Sequence, residues 1–213
     1  DVTLDKEGEG PQILIYHTHS QEAFKDSGPQ GRTIVEVGDY LAELLTQKGY
    51  RVYHDTSVYD LQSGVLDRSK AYNYALEGVN HILQQNPSIQ VVLDLHRDGV
   101  SENLHMVSDI NGKPTAQIMF FNGLSRTPEG KIAYLSNPYL AENLAFSLKM
   151  QLGAQAYFPG FARKIYLKGL RYNLHLRPKS ALIEAGAQTN TFEEVKNAME
   201  PLAQLLDMVL QGE

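Results

Sequence analysis

The stretch Ile13-Leu14-Ile15-Tyr16-His17-Thr18-His19-Ser20-Gln21-Glu22 decides how this chain is read. Its four leading apolar residues make a buried strand, too short for a helix, and metal-preferring side chains follow at once. Open α/β sheets place their chemistry just beyond the carboxyl ends of their strands. Two later runs repeat the pattern: Val91-Val92-Leu93-Asp94-Leu95 precedes His96, and Ala181-Leu182-Ile183 precedes Glu184. If the three strands are parallel neighbours, His19, Glu22, His96 and Glu184 converge.

Outward from that stretch the chain alternates in type. Residues 33–48 carry Val37, Leu41, Leu44 and Leu45 at helical spacing, with Gly49 as the stop signal. Residues 50–54 read as a strand, 68–85 as a helix with Ala71, Ala75, Val79 and Ile82 on one face, and 89–95 as a third strand. This β-α-β-α-β series predicts an α/β fold with a mostly parallel sheet. Asn111-Gly112, between apolar runs at 104–107 and 117–121, is a strong hairpin signal and predicts an antiparallel extension of that sheet. Leu140, Leu144, Leu148 and Leu152 predict a helix ended by Gly153, and 161–168 an edge strand or lid. The capping box Thr191-Phe192-Glu193-Glu194 opens a last helix, which Pro201 is expected to kink or split.

A chain of 213 residues fits one domain, expected over 11–213, with the acidic, glycine-containing residues 1–10 as a linker. With no cysteine, a metal must be held by His, Asp, Glu or carbonyl oxygen. The net charge of -6 argues against nucleic acid as the partner. Arg163, Lys164, Lys168, Arg171, Arg177 and Lys179 form a local basic cluster, either a solvated face or a patch for an anionic polymer. No run reaches the roughly 18 apolar residues of a membrane span. The first residue, Asp1 rather than Met, suggests a processed or truncated product whose upstream anchor has been removed.

The polar residues divide into candidate roles. In an extended segment His17 and His19 point to one side, so either or both can bind a metal. His19 is favoured because Glu22 follows three residues later, across a tight turn. His96 completes a His-His-Glu set with a fourth position open, a known form of catalytic zinc site. Glu36, near the start of the first helix, competes with Glu22. Glu184 at a strand end is costly unless paired, hydrogen-bonded or protonated. It acts as a general base beside the metal, the favoured reading, or as a partner for Arg177 or a metal ligand. His54 reads as a supporting group or a local cap. His96-Arg97-Asp98 with Asn103 mimics a protein-kinase loop, but the rest of that signature is missing. A two-metal phosphoesterase or amidohydrolase is the rival enzyme, disfavoured because Asp94 is taken to face away from His96 or to pack within the strand. A noncatalytic wall-binding domain is the other alternative.

The segments Ile13 to Phe24, Val37-Gly38-Asp39, Asp94 to Asp98 and Leu182 to Asn190 resemble those of the stage II sporulation protein P family, in order and over nearly the whole chain. That family is grouped with zinc-dependent N-acetylmuramoyl-L-alanine amidases. The resemblance implies a three-layer α/β sandwich, Zn2+ as cofactor, and hydrolysis of the amide joining muramic acid to the stem peptide. It also implies endopeptidase activity on peptide crosslinks, during forespore engulfment. It further implies an extracytoplasmic, membrane-anchored whole protein working on peptidoglycan with the stage II sporulation protein D lytic transglycosylase and a membrane scaffold. By position it makes His19 and His96 metal ligands and Glu184 the catalytic glutamate. The broader amidases favour Glu36 as the third ligand and sporulation-type sequences favour Glu22; Glu22 is preferred here. Arg97 or Arg177 is expected to stabilise the oxyanion, and Tyr172 and Asn173 to touch substrate.

Overall fold

The computed structural model describes residues 2–5, 7–28 and 31–212. In chain order the elements are β1 (Ile13–Tyr16), α1 (Ile34–Gln47), β2 (Val52–His54), β3 (Leu61–Gln62), β4 (Val65–Leu66), α2 (Arg68–Gln85) and β5 (Val91–Asp98). They continue with β6 (Val107–Ile110), β7 (Lys113–Ala116), β8 (Ile118–Gly123), β9 (Arg126–Thr127), β10 (Gly130–Lys131), α3 (Leu140–Tyr157), β11 (Tyr166–Lys168), β12 (Lys179–Ala187) and α4 (Phe192–Gln211). Six strands form the central sheet in the order β11-β8-β12-β5-β1-β2. β2, β1, β5 and β12 run parallel, whereas β8 lies antiparallel to β12 and carries β11 parallel to itself.

Alternation along the strands sorts the side chains into layers. Ile13 and Ile15 of β1, Leu93 and Leu95 of β5, and Ile183 of β12 share one core with α1, α3 and α4. Leu14, Tyr16 and Val92 point the other way, onto Ala75, Val79 and Ile82 of α2. The result is the three-layer sandwich, with α2 covering one face and three helices the other. Fully buried aliphatics such as Leu41 and Leu93 each stabilise it by roughly 1.5–3 kcal/mol relative to exposure.

The register brings the sequence's strand ends together. Tyr16 pairs with Asp94, and Glu184 pairs with His96, so β1, β5 and β12 terminate side by side. After Tyr16 the chain leaves the ladder: the Thr18 backbone N–H and hydroxyl donate to Asp94 Oδ1 and Oδ2 at 2.9 and 2.7 Å. That exit turns the next residues over the sheet edge.

Several expectations are corrected. The Asn111-Gly112 turn, with φ of 56° and 77°, closes the hairpin β6–β7 as a separate two-stranded sheet, and the antiparallel extension is β8. α3 runs through Gly153 to Tyr157, and its leucines do not form the inner face: Leu148 and Leu152 are exposed while Phe146, Met150 and Ala154 are buried. Polar residues share that inner face because they are bonded there, Asn143 to Leu174 O and the Ser180 N–H, and Ser147 to Asn122. Pro201 sits inside α4 without splitting it. Val2 and Leu4 pack into the main core and the Leu4 N–H donates to Leu210 O, so these residues are part of the fold rather than a linker. Asp1 and Lys6 lie outside the described residues. Among the described residues no helix is long and apolar enough to cross a membrane.

Candidate metal centre and active site

His19, Glu22 and His96 each offer a ligand atom, all within 4.8 Å of one another. The carboxylate of Glu22 lies between the two rings, Oε1 at 3.5 Å from His19 Nδ1 and Oε2 at 3.6 Å from His96 Nδ1. The rings stand edge to face, centroids 5.0 Å apart. Glu22 reaches this point because the turn after β1 lays it against β5, where the Arg97 backbone N–H donates to its Oε2 at 2.9 Å. Burial, the largest influence, works to raise the Glu22 carboxyl, but His19, His96 and the Arg97 N–H overcome it and hold it well below the usual range.

Asp94 is buried directly behind His96, its Oδ1 at 2.7 Å from His96 Nε2, although the ring N–H is not aligned for a regular hydrogen bond. The expectation that Asp94 faces away from His96 is therefore wrong. Residues two apart in a strand share a face. Burial opposes the His96 cation, yet Asp94 and Glu22 outweigh it and push the imidazole well above its ordinary value. Among the described residues His19 Nε2 and His96 Nε2 are buried ring nitrogens without hydrogen-bond partners. Two imidazoles around an ionised carboxylate are a donor set that suits zinc, so the residues fit the ion.

Glu184 stands next to His96 with its Oε2 buried and, among the described residues, without a hydrogen-bond partner. Burial pushes its carboxyl up to about 7; His96 opposes the shift, and Glu22, Asp98 and Asp94 add to it. Such a carboxyl exchanges a proton near neutrality, which is what a general acid–base group needs.

The remaining expected site residues fall elsewhere. His17 is buried on the α1 side, its Nδ1 2.8 Å from Leu95 O and its Nε2 2.8 Å from His54 Nε2, so it does not share a side with His19. Glu36 caps α1, accepting from the Thr33 N–H at 2.7 Å, and is absent from the cluster. The Arg97 guanidinium is committed to Ala23 O and Asp98 O. Arg177 donates to Ile89 O, at the opposite end of the sheet. Lys179 pairs with Val91 and Glu184 with His96, so about 16 Å of strand separates the two ends. Arg177 therefore neither pairs with Glu184 nor serves an oxyanion there. The basic cluster is likewise dispersed, with Arg163 bound to Asp98 at 2.7 Å and Arg171 to Ser136 O.

One residue not singled out in the sequence joins the site. Tyr72, near the start of α2, sets its ring edge to face with His19 at 5.5 Å and with Tyr172 at 5.4 Å. Its phenol is pushed far up by burial first and then by Asp94, Glu184, Tyr172 and Glu22, so it remains a neutral donor among carboxylates. Asn173, at φ 55°, donates to Tyr72 O at 2.8 Å and clamps the loop before β12 against α2. The legible signal was topological, since a crossover helix begins at the edge where the preceding parallel strands end.

A family model described as Stage II sporulation protein P (SpoIIP) matches residues 3–207. Stage II sporulation protein P of Bacillus subtilis (strain 168) is 23% identical over 215 residues, covering 92% of this chain and 50% of the relative. The chain thus spans about half the length of that curated relative. Among solved structures, the CwlD amidase from Clostridioides difficile, in complex with the GerS lipoprotein, has a TM-score of 0.59 at 14% identity, over 94% of this chain and 96% of that one. The N-acetylmuramoyl-L-alanine amidase AmiC2 of Nostoc punctiforme has a TM-score of 0.55 at 16% identity, over 96% and 99%. The CwlV catalytic domain from Bacillus (Paenibacillus) polymyxa var. colistinus has a TM-score of 0.53 at 13% identity, over 95% and 99%. These likenesses establish the amidase-type fold.

Proposed function

Because the chain belongs to the stage II sporulation protein P family, we propose that it is a zinc-dependent peptidoglycan hydrolase that cleaves the amide between N-acetylmuramic acid and the L-alanine of the stem peptide. The observation that carries this reading is the convergence of His19, Glu22 and His96 beside a Glu184 whose carboxyl titrates near 7. Endopeptidase cleavage of peptide crosslinks, and a role in engulfment, follow from the same family membership. So do an extracytoplasmic, membrane-anchored whole protein and work alongside the stage II sporulation protein D transglycosylase and a membrane scaffold.

His19, Glu22 and His96 would hold the zinc ion, with the Asp94 carboxylate close against the other side of the His96 ring. When bound, zinc supplies Lewis-acid polarisation of the scissile carbonyl and makes water easier to deprotonate. Glu184 accepts the proton from the attacking water as its oxygen adds to the carbonyl carbon. The carbon–nitrogen bond then breaks, and Glu184 returns that proton to the departing amine. Tyr72, rather than Arg97 or Arg177, donates its phenol hydrogen to the oxygen that gains charge. Tyr172, packed on Tyr72 and on Phe121, forms an aromatic wall for the substrate.

The test is digestion of purified peptidoglycan by the zinc-loaded protein, with product identification. Free stem peptides support the amidase reading, and cut crosslinks the endopeptidase one; intact sacculi in both assays count against a hydrolase. The two-metal alternative gains an acidic neighbour in Asp94, but both its oxygens are taken by Thr18 and His96. One zinc per chain separates the readings.

A further inference from the structure

The Val37-Gly38-Asp39 block has no part in the chemistry above, yet it meets a chain of hydrogen bonds behind the metal ligands. Asp39 Oδ1 lies 2.9 Å from His54 Nδ1, His54 Nε2 lies 2.8 Å from His17 Nε2, and His17 Nδ1 lies 2.8 Å from Leu95 O. Four elements meet here: α1, the end of β2, the exit from β1 and the end of β5. Gly38 leaves the room, since a Cβ there would lie 2.6 Å from His17 Nε2 and 2.7 Å from His54 Nε2. The Leu95 carbonyl stands one residue beyond the last β1–β5 pair, Tyr16 with Asp94, so the His17 ring continues the fastening where the backbone ladder stops.

The contacts form one continuous chain from the α1 side chain to the β5 backbone. A backbone carbonyl only accepts, so the His17 ring donates from Nδ1 to Leu95 O, and the 2.8 Å approach of the two Nε2 atoms is a hydrogen bond that ties the His17 ring to His54, which Asp39 holds from its other nitrogen.

We propose, on the basis of the metal triad above, that Asp39 and His54 are positioning residues that act through His17 to lock the ends of β1 and β5 where they carry His19 and His96. The hydrogen-bond chain from Asp39 through His54 and His17 to Leu95 O is the clasp.

The experiment joins amide exchange to metal titration. Asp39→Ala removes the partner of His54 Nδ1, and Asp39 is largely exposed, so the circular dichroism should be unchanged. In the metal-free protein the Thr18 and Arg97 amides, which bond across the exits of β1 and β5, should exchange faster than in the wild type, and zinc affinity in a chelator competition should fall about tenfold. Wild-type exchange at both amides, or an Asp39→Ala protein binding zinc as tightly as the wild type, overturns the proposal. A wild-type chain that binds no zinc, with exchange quickened by Asp39→Ala, would sink the triad and leave the clasp standing.

Discussion

Glu184 and His96 are direct neighbours across the β12–β5 ladder, and the pairing slips between Glu184 and Ala187, immediately after them. The slip falls at Gly186, whose φ of 65° and tight surroundings suit no larger residue, because a Cβ there would meet Val195 Cγ2 at 2.8 Å. The Glu184 carboxyl stands beside the cluster of His19, Glu22 and His96 without being part of it.

Glu184→Gln keeps the shape and removes the proton carrier. Zinc content should match the wild type while release of dye from labelled sacculi falls by about 10²–10⁴-fold, the usual share of a general acid–base group. Undiminished release would remove Glu184 from the mechanism.

The same group sets a pH dependence of folding in the zinc-free protein. The Glu184 carboxyl is raised from 4.5 to about 7 in the fold, so between those values the native state binds more protons than the unfolded chain, and stability falls as pH rises. The loss is at most roughly 3 kcal/mol across that window. Glu22, depressed, gives stability that is lost only below the ordinary carboxylate range. His96, raised, gives stability that is full below its ordinary value of 6.5 and is lost as pH rises from there through its elevated one. Burial lowers His17 and His175 to about 4, and both work the other way over most of that window, so the readout is the difference between proteins: from about pH 4.5 to 7, urea titrations should show wild-type stability falling relative to Glu184→Gln.

Glu22 and Glu36 are told apart by metal content. Glu22→Gln should abolish stoichiometric zinc, as should His96→Ala. Glu36→Ala should keep zinc and lose about 1 kcal/mol through the α1 cap. Zinc bound by Glu22→Gln and lost by Glu36→Ala would reverse the assignment.

Tyr72→Phe removes one hydroxyl from an otherwise intact wall. A donor used only in the transition state lowers kcat and leaves KM, here by about a hundredfold. A change confined to KM would make Tyr72 a binding residue instead.

Much of this was legible in the residues. Short apolar runs before His17, His96 and Glu184 pointed to the parallel strands and the edge on which the cluster lies, because burial on both faces leaves few other readings for such runs. The α3 leucines misled, since a four-residue repeat cannot reveal that Asn143 and Ser147 find partners inside. Arg177 misled because a sequence distance of seven from Glu184 says nothing about which end of β12 it occupies. Asp94 was readable from the two-residue alternation with His96. Tyr72 depended on the helix's direction, and the His17–His54 contact on a pairing of β1 with β2 that places two imidazoles at one edge.

A lone threonine divides His17 from His19, and the two rings serve opposite sides of the sheet, one toward α1 and the other toward α2. That spacing has no slack. Deleting Thr18 would take away the N–H and hydroxyl that pin the exit from β1 to Asp94, and with them the path that delivers one ring to each side.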